Sequence, residues 1–121
     1  MNFEWSKNEI IANNITITAN NITLNKAACN HFEEVGYVLL GIDDSSRSIG
    51  IKPVTKEDIN QEIYPRECLY KISIGKSYGR ITSKSFIQDL VQRFNLDFNS
   101  QASYKYSANY DVIHKTLIVK L

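Results

Sequence analysis

Tyr78-Gly79-Arg80-Ile81-Thr82-Ser83-Lys84-Ser85-Phe86-Ile87 has the form of a strand that runs straight into a helix, with basic residues close to the junction. Thr82 or Ser83 can cap such a helix, because a hydroxyl there accepts from the free amides of the first turn. Phe86, Ile87, Leu90, Val91 and Phe94 then fall at helical intervals and predict an amphipathic helix. An earlier stretch, Asn20-Asn21-Ile22-Thr23-Leu24-Asn25-Lys26-Ala27-Ala28-Cys29, repeats the form. Here Asn25 is the cap, Lys26 opens the helix, and Ala27, Ala28, Cys29 and Phe32 supply a shorter apolar stripe. Each stretch is followed by an extended run, an Asp-bearing turn and a strand of alternating aliphatic residues. The chain therefore reads as two copies of one unit, about residues 13–54 and 69–121, joined by an acidic connector at 55–68.

Outward from these stretches, Ile15, Ile17, Ile22 and Leu24 with Thr between them predict a hairpin whose Asn-rich turn uses positive φ. Residues 37–42 are an apolar run of strand length and 43–47 a polar turn. Residues 48–52 form a strand with Ile49 and Ile51 on one face, ended by Pro53, which cannot donate to a ladder. In the second unit, 69–74 alternate as a half-buried strand, 75–79 form a turn and 95–102 a loop. A strand at 103–106, a turn at 109–111 and a last strand at 116–121 complete it. Residues 1–12, with Phe3 and Trp5, read as an arm or edge strand that covers core.

A half of about 60 residues buries too little to be stable alone. The expected fold is therefore a single mainly β domain over 1–121: a barrel of two pseudo-symmetric units, each with a short helix. An α+β arrangement is the alternative. Its common core is expected to hold Ile22, Leu24, Val38, Leu40, Ile49, Ile51, Ile72, Ile74, Ile81, Leu117 and Val119.

Hydrophobic residues at 43% and charged residues at 22% are ordinary for a globular domain. Cys29 and Cys68 are single thiols without metal-ligand spacing, read as buried and reduced, which suits a cytoplasmic protein. Glu4, Lys7 and Glu9 interrupt any apolar leader, and no stretch of about 18 apolar residues occurs, so neither secretion nor membrane insertion is expected. His31 and His114 have no nucleophile at a telling spacing, and Gly75-Lys76-Ser77 lacks the upstream glycine of a phosphate-binding loop. Glu57, Asp58 and Glu62 read as a solvated face. A non-enzymatic protein with no catalytic residue, metal or cofactor is the expectation.

The net charge of +1 gives no global attraction to nucleic acid, but the charge is unevenly placed. Residues 27–67 hold eight acidic and four basic residues, whereas 69–86 hold Lys71, Lys76, Arg80 and Lys84 and no acid. Phosphates attract such a set through counterion release, and an Arg can also fork onto a guanine edge. Tyr78 lies within the set, and Lys26 opens the helix of the first unit. These six residues are the candidate DNA contacts. The competing reading is an interaction module, antitoxin-like or adaptor, that engages a protein partner or a second copy through the acidic half.

The order strand, short helix, strand, Asp-containing turn, strand resembles the SpoVT/AbrB family. Gly79-Arg80-Ile81 matches its Gly-Arg-aliphatic signature, with Asp111 at the turn and Leu117-Ile118-Val119 in the last strand. Ile22-Thr23-Leu24, Asp43-Asp44 and Ile49-Gly50-Ile51-Lys52-Pro53 are the corresponding pieces of the first unit, where Asn20-Asn21 replaces Gly-Arg. The Pro that usually opens the family's helix is absent from both units. This resemblance implies a swapped-hairpin barrel made by tandem units within one chain. It also implies a DNA-binding regulator of transcription, or a plasmid or chromosome accessory factor, with Arg80 as the matched residue.

Overall fold

β1 (Asn13–Ile17) and β2 (Asn21–Asn25) form the first hairpin of a computed structural model that describes residues 2–5 and 12–121. Asn25 caps α1 (Lys26–Cys29) by accepting from the Ala28 amide at 3.0 Å, and a 3-10 turn, Asn30–Phe32, continues it. The second hairpin is β3 (Tyr37–Asp43) with β4 (Ser48–Val54). The connector holds α2 (Lys56–Asn60), started by a capping box between Thr55 and Asp58, and a 3-10 turn, Arg66–Cys68. β5 (Tyr70–Ile74) and β6 (Tyr78–Thr82) follow, then α3 (Lys84–Phe94) behind its cap Ser83. Finally β7 (Tyr104–Asp111) pairs with β8 (Thr116–Lys120).

The strands close into one barrel in the order β1-β2-β6-β5-β3-β4-β8-β7, all neighbours antiparallel. Every hairpin is flanked on both sides by hairpins of the other unit, so the units exchange hairpins and neither closes a sheet alone. Ile22 and Ile81, equivalent residues 59 apart, are partners across β2 and β6. Gly50 and Ile118, equivalent and 68 apart, are partners across β4 and β8. Equivalent residues can face each other only on a two-fold axis, which therefore crosses the wall at these two pairs. The residues gained between the two spacings lengthen the second helix and its following loop: α3 has 11 residues where α1 has 4.

Alternation puts Ile15, Ile17, Ile22, Leu24, Ile49, Ile51, Ile81, Leu117 and Val119 inside, each at most 1% exposed. Phe32 from the first unit and Phe86, Ile87, Leu90 and Phe94 from α3 join the same cluster. The two units thus share one core. Of the expected core residues, Leu40 is half-buried and Ile74, at the end of β5 beside its turn, is 39% exposed.

Several local expectations need correction. No residue of the first hairpin turn has positive φ; Thr18 closes it, its amide donating to Asn21 O at 2.9 Å and its hydroxyl accepting from the Asn21 amide at 3.2 Å. Pro53 lies within β4 opposite Val38, tolerated because the ladder with β8 stops at Ile51 and leaves that side open. Tyr78 and Gly79 belong to β6 rather than to the turn before it, and residues 109–111 to β7, whose turn is 112–115. Cys29 is buried, whereas Cys68 sits in the connector and is exposed. At the amino terminus, Phe3 and Trp5 are 64% and 81% exposed and cover no core; residues 1 and 6–11 of the expected arm lie outside the described residues.

Gly79 is held to glycine by packing. A Cβ there would stand 2.8 Å from Cys29 Sγ and 2.9 Å from Ile74 Cδ1, closer than side chains approach. Gly79→Ala is expected to destabilise the protein by about 1–3 kcal/mol through overpacking. A urea titration of Gly79→Ala, Cys29→Ala and the double variant checks the cause, since removing Sγ should recover part of the loss.

Candidate nucleic-acid interface

Barrel closure assembles a wall that no single stretch of sequence contains. Along β7-β1-β2-β6-β5, the outward residues Lys105, Thr16, Thr23, Arg80 and Ser73 stand in one register row. In the next row Ser107 pairs with Asn14 and Asn25 with Tyr78, and the Asn14 amide donates to Asn25 Oδ1 at 3.0 Å. Beyond the first row, Thr82 Oγ1 donates to Asn21 Oδ1 at 2.7 Å. The wall is thus amides, hydroxyls and cations.

Arg80 projects from the middle of β6, next to the crown of this convex wall. Its guanidinium lies 5.5 Å from the centre of the Tyr78 ring, and Nη2 donates to Tyr78 Oη at 3.3 Å. Side chains two apart on a strand share a face, so Tyr78 holds the Arg fork in a preferred direction. Lys71 lies on β5 opposite Tyr37. Lys76 is in the β5–β6 turn at one end of β6 and Lys84 opens α3 at the other, so the basic residues run along β6 instead of gathering on one edge. Lys26 opens α1 at the end where Lys76 lies, because β2 runs antiparallel to β6.

β1, β2, β5 and β6 contain no acidic residue. On β7 the single acid is Asp111 at its far end, whose Oδ2 is 2.7 Å from His114 Nδ1. Bonding to the His114 side chain, and then to its amide, holds the Asp111 carboxyl below the usual carboxylate range. Elsewhere Asp44 and Asp89 are both engaged by Arg93, at 2.7 and 2.8 Å. Among the described residues, Lys26, Lys71, Lys76, Arg80, Lys84 and Lys105 form no ion pair. Lys105, Thr16, Thr23 and Ser73 are the members of the row that sequence reasoning missed. Their only signal was the polar half of the alternation in β1, β2, β5 and β7.

His31 stacks on Tyr110 with ring centres 3.9 Å apart, and its burial lowers its pKa. Among the described residues no three His, Cys, Asp or Glu are disposed to hold a metal ion, and no helix is long and apolar enough to cross a membrane. Comparison of this chain with family models, with characterised proteins and with solved structures found no significant match.

Proposed function

We propose that this protein binds duplex DNA through the outer wall of β7-β1-β2-β6-β5. In this reading it is a non-enzymatic AbrB-like regulator of transcription, or an accessory factor of a plasmid or chromosome. The observation that carries the reading is the acid-free row around Arg80, with Lys71, Lys76, Lys84, Lys105 and Lys26 unpaired about it among the described residues. Cations without carboxylate partners are free to replace the counterions of phosphates, while Thr, Asn and Ser offer hydrogen bonds without charge.

The test is retention of mixed genomic fragments at low and moderate salt, followed by sequencing of what is retained. Enrichment of a common sequence, lost progressively with salt, is the expected outcome; no salt-sensitive retention refutes the reading. Arg80→Lys in the same assay keeps the charge and loses the bidentate fork, so it should broaden the retained set more than it reduces the amount.

One observation favours the interaction module instead. Gly41 and Gly50 are partners on the opposite wall, and a Cβ on Gly41 would meet nothing within 4 Å. A strand glycine with no internal reason suits close approach of another backbone. A protein partner or a second copy would then cover that wall.

A further inference from the structure

The turns that join the last two strands of each unit have the same geometry and opposite chemistry. Asp43 Oδ1 accepts from the Ser45 amide at 3.1 Å, and Asp111 Oδ1 from the Ile113 amide at 3.0 Å. Each turn closes on a residue with φ of 51°, Arg47 in one and Lys115 in the other. The first turn rests on α3: Asp44 reaches Arg93 at 2.7 Å, and the Arg47 guanidinium lies 5.1 Å from the centre of the Phe94 ring. In the second turn Val112 and Ile113 take the places of Asp44 and Ser45. They are 75% and 88% exposed, and α1, with 4 residues against the 11 of α3, offers no counterpart to the Arg93 that holds Asp44.

β7 carries this aliphatic pair beyond the acid-free wall. Lys105 and Ser107 of β7 are members of its rows, Asn109 is the next outward position, and the turn follows. β2 ends, β6 begins and β7 ends at the same end of the barrel, so the turn shares that rim with Lys26 and Lys76. Its own flanks are His114 and Lys115, and its one carboxylate, Asp111, is bonded to His114.

Five strands about 4.8 Å apart span about 19 Å, more than the roughly 12 Å of a major groove. A duplex on this wall is therefore held by its phosphates, and entry is left to long side chains and projecting turns. An aliphatic pair on a paired two-stranded tip, with Lys115 beside it and Lys26 and Lys76 on the same rim, has the chemistry of a wedge between bases. The same cations make close packing of two such tips from two copies unfavourable.

We propose that Val112 and Ile113 form an apolar wedge that enters a groove of duplex DNA held on the acid-free wall and unstacks a base step. This inference rests on the DNA-binding reading above. It is tested with Val112→Ser/Ile113→Ser, which changes two exposed side chains to the polar character of the twin turn, and with Ile113→Leu. The probes are duplexes carrying 2-aminopurine at a TA or CA step, whose emission rises on unstacking, and vesicles of phosphatidylserine and phosphatidylcholine. Emission should rise with the parent and with Ile113→Leu but not with the double variant, whose affinity should fall about tenfold at an unchanged salt slope. Emission that stays low with the parent, or a double variant equal to it, overturns the wedge and leaves the DNA reading standing. Loss of vesicle binding in the double variant with DNA binding intact overturns it in favour of a lipid surface. A parent without salt-sensitive duplex binding removes both the reading and the wedge.

Discussion

Ile81→Ala is expected to cost about 2–5 kcal/mol and to loosen both halves of the chain in one transition. Ile81 is fully buried and meets Ile22 across β2 on one side and Ile72 across β5 on the other. The first of these pairs lies on the pseudo-two-fold axis, so the cavity opens where core of both units meets. A domain of this size has about 5–15 kcal/mol in all, and the loss is a large share of it. Because each hairpin is held between hairpins of the other unit, no half has a sheet to fall back on. Urea unfolding followed by circular dichroism and by hydrogen exchange at amides of β3 and β7 should give a single midpoint, shifted equally for both probes. Two midpoints would mean two cores.

Replacing Lys71, Lys76, Arg80 and Lys84 together by Ala is expected to weaken DNA binding across all sequences. The slope of log affinity against log salt should fall by about 0.9 for each phosphate no longer neutralised, or about 3.6 for four. All four side chains are exposed and form no ion pair among the described residues, so their removal leaves no buried partner stranded. The thermal midpoint serves as the control for folding. Lys52 and Lys120 project from the opposite wall, and replacing them should leave the slope as it is. A quadruple variant that is folded and keeps the parent's slope removes the basic wall from the mechanism.

What was legible in the sequence was local or periodic. The caps Asn25 and Ser83 can be read because the residue that accepts from the first turn is adjacent to the helix it starts. The spacings of 59 and 68 can be read because equivalent aliphatic residues keep the two-residue period of a strand. Pro53 is misread from sequence because its tolerance depends on where β8 begins, more than 60 residues later. Asn109 and Asp111 look like turn residues, yet pairing with Ile118 and Thr116 draws them into β7, an override of local preference by tertiary pairing. The row from Lys105 to Ser73 is out of reach for the same reason. Thr16 meets Lys105 only when β7 closes the barrel against β1, and no local signal marks that pairing.

The most direct measurement is the titration of backbone amide resonances of the whole chain with a duplex oligonucleotide recovered from the genomic selection. Shifts should concentrate on β1, β2, β5, β6 and β7, strongest around Thr23, Ser73 and Arg80, and should fade as salt is raised. Shifts that cluster instead around Gly41, Gly50 and the connector, or no shifts at all, would contradict the account.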